Sequence, residues 1–312
     1  MRIANGEWRT ANSEWRMANG EWRMANGEWR TANSEQRMTN SEWRIANSEC
    51  RMTLVTMAQN VPGPVAVARL VAGGAAAIKI EAPWGDPLEG FCKSWYDELH
   101  AGVTIVRVDL KSPDGMRSLM DLLGSADVFV ASHRPGALAR LGLDATALLQ
   151  RFPLLRHLNI VGDTAHPDEP GHDVTYQAKA GLLQHRLPKT LLADLFGAER
   201  AHAAILDMMH KGPGGRRVIG LFDSLSTLTA PLRHGLTAPA GVLGGGNPAY
   251  AVYAVQDGAV AGGALEPHFR ARLYEALALE DGSDLTAIML TKSVDDWEQW
   301  ASERDLPLAV LR

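Results

Sequence analysis

The chain has 312 residues, 46% hydrophobic and 21% charged, with a formal net charge of −5, so it buries a core and gives no general reason for nucleic-acid binding. Its two cysteines, Cys50 and Cys92, lack any CxxC or Cys/His cluster, which sets aside a disulfide framework and a structural zinc site. No stretch has the length of a membrane span or the apolar core of a signal peptide, so a cytoplasmic protein acting on a small molecule, with no metal, membrane or nucleic-acid partner, is expected.

From Arg2 to Cys50 a seven-residue unit repeats, as in RMANGEW and RTANSEW. A coiled coil needs two apolar positions per heptad, whereas each unit offers one Trp beside Asn and Gly or Ser, poor helix formers. RMANGEW is also what the seven-base unit CGAATGG encodes when read three times. Residues 1–51 are therefore expected to be a disordered tail or translated repeat DNA, with the true start at Met52 or Met57. A Trp-rich interaction tail is the competing reading.

Beyond the repeat, VPGPVAVARLVAGGAAAIKIEAP predicts a turn, a helix over 65–71 and a strand over 77–80. A strand over 103–110, a capped helix in SPDGMRSLMDLLGSA and a buried strand in DVFVAS follow. Another helix over 144–151 and a strand over 155–161 complete an alternation typical of an open, mainly parallel α/β sheet, whose ligands bind at strand C-terminal ends. The loops there are PWGDPLEG, SHRPG and GDTAHPDEPGHD. From Gly171 the pattern is helical through Met209. Gly/Pro-rich stretches then flank a short 218–228 element, and a strand pair around Asp257-Gly258 opens a second unit. The expected domains are a large α/β domain over 52–211, a linker over 212–247, a small domain over 248–291 and a C-terminal segment over 292–312.

His172 and Asp173 open a helix, where an Asp serves either as a cap or in chemistry. Asp194 in LLAD and Glu266 in GALEP carry the same ambiguity. Arg134 and Arg140, flanking a Pro-Gly turn, suit either phosphate binding or a solvated surface.

Taken in order, NVPGPVA, IKIEAPWGDP, VDLKSPDG, ADVFVASHRPGALARLGLD, PGHDVTYQA, LLAD, PAYAVY with DG, and GALEPHF resemble the class III CoA-transferase (CaiB/BaiF) family over about 250 residues. The resemblance implies a Rossmann-like large domain with a smaller α+β domain, assembled as an interlocked homodimer. It also implies acyl-CoA as substrate, with coenzyme A part of that substrate and no permanently bound cofactor. The racemase branch is similar in having His before Asp in the GHD motif, a later Asp and a Glu in a GA-hydrophobic-EP segment. On that branch His172, supported by Glu266, serves one face of the substrate α-carbon and Asp194 the other, with Asp173 orienting the loop. On the transferase branch Asp173 is the nucleophile. CoA recognition is implied for Arg134 and Arg140, with Ser132 and His133 lining the nucleotide and Glu81 beside them. Where the family has Asn-x-Gly-Lys, this chain has His100-Ala101-Gly102-Val103. A degenerate CoA-binding protein is the third alternative.

Overall fold

The computed structural model describes residues 8–10, 13–18, 21–24, 52–183 and 186–311. Two units are distinguished, residues 1–49 and 50–312. In the first, β1 (Trp8–Thr10), β2 (Ser13–Ala18) and β3 (Glu21–Met24) pair as an antiparallel meander. Expectations for the rest of 1–51 lie outside the described residues.

The second unit is organised by six strands, of which the inner four bury β-branched and apolar residues on both faces, as parallel sheets require. The six are β4 (Thr53–Thr56), β5 (Ala76–Glu81), β6 (Val103–Arg107), β7 (Val128–Ala131), β8 (Arg156–Val161) and β9 (Arg216–Gly220). All neighbours are parallel, and the order is β6-β5-β4-β7-β8-β9. The period-2 alternation of strands divides the core. Leu54, Val128 and Val130 join the cluster on one face, while Val55, Phe129 and Ala131 join the cluster on the other.

Helices cover both faces. In chain order they are α1 (Pro62–Ala72), α2 (Pro87–Phe91), α3 (Lys93–Leu99), α4 (Pro113–Leu123), α5 (Pro135–Arg140), α6 (Ala145–Arg151), α7 (Asp173–Lys179), α8 (Leu192–Lys211), α9 (Leu221–Leu228) and α10 (Ala230–Arg233). Their starts follow capping chemistry: Ser112 accepts from Gly115 N at 3.1 Å, and Asp144 accepts from Thr146 N and Ala147 N at 3.0 and 3.1 Å. The small-residue face Ala193, Gly197, Ala198 and Ala201 lets α8 pack closely on α1 and α9, joined at its edge by an Arg69–Glu199 ion pair.

Two expectations change here. The helical stretch 171–209 is broken into α7 and α8, because Gly181 takes φ 71° just after α7 and Pro188 cannot continue a helix. The segment 212–247, expected as a linker, contributes the sixth strand: β9 pairs with β8, and its Ile219 is buried in the core.

A second sheet lies further along the chain: β10 (Tyr250–Ala254), β11 (Ala259–Gly263) and β12 (Leu308–Leu311), all antiparallel. With α11 (Pro267–Leu277), α12 (Thr286–Met289) and α13 (Val294–Ser302) it encloses its own core around fully buried Trp297, whose indole N–H donates to Met289 O at 2.8 Å. The C-terminal segment expected over 292–312 supplies β12, which completes this second sheet. No helix among the described residues is long and apolar enough to cross a membrane.

Candidate active site

In the sheet order, β4 connects to β5 on one side while β7, across from it, connects to β8 on the other. The loops leaving β4 and β7 therefore diverge, and the crevice at this switch point is where doubly wound sheets take ligands. A cleft of about 160 Å³ occupies it, walled by Gln59 and Asn60 after β4, Ser132 and Arg134 after β7, and the end of β8. His172, Tyr176, Glu169 and Asp194 complete its polar lining.

The approach to α7 fixes His172. It is the N-cap residue, in extended conformation and exposed. Thr175 Oγ1 accepts from the His172 N–H at 3.0 Å and donates to the His172 carbonyl at 2.7 Å. Asp173, the first helical residue, points the other way and is buried. Its Oδ1 accepts from Ala193 N at 2.7 Å and Asp194 N at 3.1 Å, and its Oδ2 accepts from the Gln177 side-chain amide at 2.5 Å. Asp173 therefore caps a helix, as its residue type suggested, but the helix is α8 rather than its own. It is not among the residues walling the cleft.

Asp194 sits in the first turn of α8, brought to the cleft by that cap. Burial, and secondarily the negative charge of Asp173, pushes its carboxyl up to about 7. A carboxyl in that range is available at neutral pH both as acid and as base.

Glu266 is not brought to these groups. It is the exposed N-cap residue of α11 and does not wall the cleft.

The expected CoA residues divide. Ser132 and Arg134 line the cleft, and Ser132 Oγ accepts from Gln59 N at 2.9 Å, tying the two diverging loops together. His133 turns away: its carbonyl accepts from the Asn159 amide at 3.2 Å, its Nδ1 is buried without a hydrogen-bond partner, and burial lowers its pKa. Arg140 is exposed at the end of α5 and outside the cleft walls. Glu81, expected beside the nucleotide, is a buried internal group, because strand β5 points it into the interior, where it meets Lys79 at 3.2 Å and the Tyr96 hydroxyl at 2.8 Å.

That interior cluster bears on the cleft indirectly. Glu81, Asp86 and His100 bring donor atoms within 4.8 Å of one another, a spacing compatible with a metal ion. The Lys79 ammonium lies among them instead, 2.5 Å from Asp86 Oδ2 and 2.7 Å from His100 Nε2. His100 Nδ1 is 2.6 Å from the Tyr96 carbonyl, which only accepts, so Nδ1 carries the proton and Nε2 accepts from Lys79. The other oxygen of Asp86 accepts from Leu88 N and from Asn60 N at 2.9 and 3.0 Å. Asn60, held at φ 60°, walls the cleft, so the cluster anchors the loop after β4.

Tyr176, Gln59, Asn60 and Glu169 are cleft residues that the sequence did not single out. Tyr176 stood within PGHDVTYQA, four residues after His172. His172 enters the cleft from the N-cap and Tyr176 from the first turn of α7.

A doubly wound sheet with an imidazole and an elevated carboxyl at its switch point has the architecture of an α/β enzyme. The model of CoA-transferase family III matches residues 51–312, and the chain belongs to that family. A CaiB/baiF CoA-transferase family protein of Caenorhabditis elegans is 29% identical over 212 residues, covering 60% of this chain and 62% of that protein, less than two thirds of its length. Cinnamoyl-CoA:phenyllactate CoA-transferase of Clostridium sporogenes is 26% identical over 314 aligned positions, covering 82% of this chain and 76% of that one. Human alpha-methylacyl-CoA racemase is 29% identical over 274 residues, covering 80% of this chain and 68% of that one. The crystal structure of a hypothetical protein from Mycobacterium tuberculosis shares the fold with a TM-score of 0.72 at 21% identity, covering 84% of each chain. The relatives thus include both CoA-transferases and a racemase, which supports an enzyme of either kind.

Proposed function

We propose that the protein removes and returns the α-proton of a 2-methylacyl-CoA-type thioester, inverting that carbon. The observation that carries this is the division of labour between the two carboxylates. Asp194 faces the same cleft as His172, whereas Asp173 is withdrawn and accepts three hydrogen bonds.

Inversion needs a base on one side of the α-carbon and an acid on the other. In one direction His172 takes the proton and the Asp194 carboxyl returns one to the opposite face. In the reverse direction the Asp194 carboxylate is the base and the His172 imidazolium the acid. An Asp194 carboxyl at about 7 suits both directions at neutral pH. Between the two transfers the charge rests on the thioester oxygen, which backbone N–H groups opening α7 would stabilise. Coenzyme A enters as part of the substrate, its anionic portion drawn to Arg134 beside the cleft. For Glu266 to serve His172, it must reach the cleft from a second copy of the chain, as in the expected homodimer.

The test is isotopic. Incubation of a 2-methylacyl-CoA in D₂O is expected to place deuterium at the α-carbon, with loss of at least about 1,000-fold in Asp194→Asn or His172→Ala. No exchange by the wild-type chain over several acyl lengths sinks the proposal.

A second reading, CoA transfer between carboxylic acids, is favoured by the placement of Asp173 at the transferase position of the motif and by transferase relatives. Asp173 would attack the thioester carbonyl, releasing CoA thiolate and forming an acyl-aspartyl anhydride. It would first have to give up the amides of Ala193 and Asp194. Hydroxylamine trapping of that anhydride in the wild type, and not in Asp173→Asn, would support this reading. CoA binding with neither exchange nor transfer would point to a degenerate binding protein.

A further inference from the structure

Four tyrosines are buried: Tyr96, Tyr176, Tyr253 and Tyr274. A buried phenol needs an acceptor for its O–H. Three have one, at Glu81 Oε1, Pro248 O and Ser283 O, at 2.8, 2.7 and 3.3 Å. Among the described residues no acceptor faces the Tyr176 hydroxyl, which, although the residue is only 5% exposed, is not one of the buried atoms left without a partner. Its ring walls the same cleft as His172 and Asp194.

The backbone is shaped around that ring. Gly162, at the end of β8, and Gly171, just before His172, both abut the Tyr176 hydroxyl, and a Cβ built on either would overlap it. Neither glycine has the positive φ that would otherwise explain its presence. Two positions on different segments have therefore given up a side chain to admit one phenol tip at the cleft. Burial raises the Tyr176 pKa, and the nearby Asp194 and Asp163 carboxylates add to this, so the group stays an O–H donor at neutral pH.

We propose that Tyr176 is a further catalytic residue, its hydroxyl donating a hydrogen bond to the thioester carbonyl oxygen of the acyl-CoA, given the proton-transfer function proposed above. The bond strengthens as the α-proton leaves and negative charge gathers on that oxygen. No proton is transferred from the phenol, so His172 and Asp194 keep the whole proton exchange between them. A neutral donor suits this position, because a cation there would favour the carboxylate form of Asp194 and remove it as an acid.

The experiment compares wild type and Tyr176→Phe as full chains, measuring α-deuterium incorporation into a 2-methylacyl-CoA in D₂O. Binding of 2,2-dimethylpropanoyl-CoA, which has no α-proton, reports ground-state affinity. The expected result is a fall of about 100-fold in kcat for exchange, with KM and analogue binding within about threefold, since the donor acts chiefly on developing charge. Gly162→Ala, which displaces the ring without removing the hydroxyl, is expected to lower kcat in the same sense. Exchange retained within threefold by Tyr176→Phe overturns the role. So does a loss confined to KM and analogue binding, which marks a packing residue. A wild type that exchanges no deuterium overturns the proton-transfer function itself and Tyr176's part in it.

Discussion

Two groups of closely spaced acids among the described residues are treated in opposite ways. Around Lys79, the Glu81 and Asp86 carboxylates are almost wholly removed from water, yet each meets the ammonium, and Arg107 adds a second cation to Glu81 at 3.2 Å. His100 contributes a neutral acceptor. At the switch point Asp173 and Asp194 also lie close together. Asp173 is satisfied by amides, but Asp194 meets burial and a neighbouring negative charge with no cation, and its carboxyl rises to about 7. Balanced charge marks the first group as scaffold, holding the loop of Asn60 through Asp86. Uncompensated charge in a cleft distinguishes the second, and the proposed proton transfer rests on that difference.

The largest expected effect comes from breaking the balanced group. Lys79→Met leaves two carboxylates buried without their shared cation, and losing one partner of a buried ion pair costs about 3–5 kcal/mol. Urea unfolding at pH 7 should show a loss of that order or failure to fold. A loss under about 1 kcal/mol would mean the cage is not what holds β5 to the loop before α2.

Asp194→Asn should act in the other direction. The folded-state pKa of about 7 lies above the model value of 3.8, so between those values the folded protein binds a proton that the unfolded chain has released. Stability contributed by this group is therefore full below about pH 4 and falls as pH rises toward 7. Asparagine carries no such penalty. After allowance for solvent reaching the cleft, the variant should be more stable than wild type at pH 8 by on the order of 2 kcal/mol, with the gap closing near pH 4. Measuring both proteins by denaturant unfolding at the two pH values checks this. An unchanged gap would show that Asp194 is ionised in the native protein throughout.

The contrast was only half visible in the sequence. Alternating strands and helices imply the sheet from neighbouring residues, whereas GHD and LLAD are ambiguous by themselves and point to a site only through the family resemblance. The cage around Lys79 was not legible: His100 is 21 residues away from Lys79 and reaches it only because β6 pairs with β5. Glu81 is placed beside the CoA residues by the resemblance alone, since nothing in IKIEAP says which way the strand end turns. For Asp173 the sequence leaves cap or chemistry open, and its capping of α8 rests on contacts with Ala193 and Asp194, 20 and 21 residues on. Tyr176 had a usable signal, its place in PGHDVTYQA close after His172, which becomes informative once α7 is known to begin at Asp173.

The smallest effect tests the sign of the balanced group's response to acid. Desolvation holds the His100 pKa below its usual value of 6.5, with the backbone carbonyl of Tyr96 opposing and Lys79 reinforcing. Below pH 6.5 the unfolded chain therefore takes up a proton that the folded cage resists, and stability falls as pH falls, opposite to the trend set by Asp194. His157, stacked on Phe129 and lowered by burial to about 4, adds a response of the same sign. Replacing His100 by Gln keeps an acceptor for Lys79 without the titration, so the variant should lose less stability than wild type between pH 7 and pH 5, by about 1 kcal/mol. His157 remains in both proteins, and the difference isolates His100. Parallel pH curves for the two would mean that His100 accepts its proton in the folded state, with the Lys79 ammonium displaced toward the carboxylates to make room.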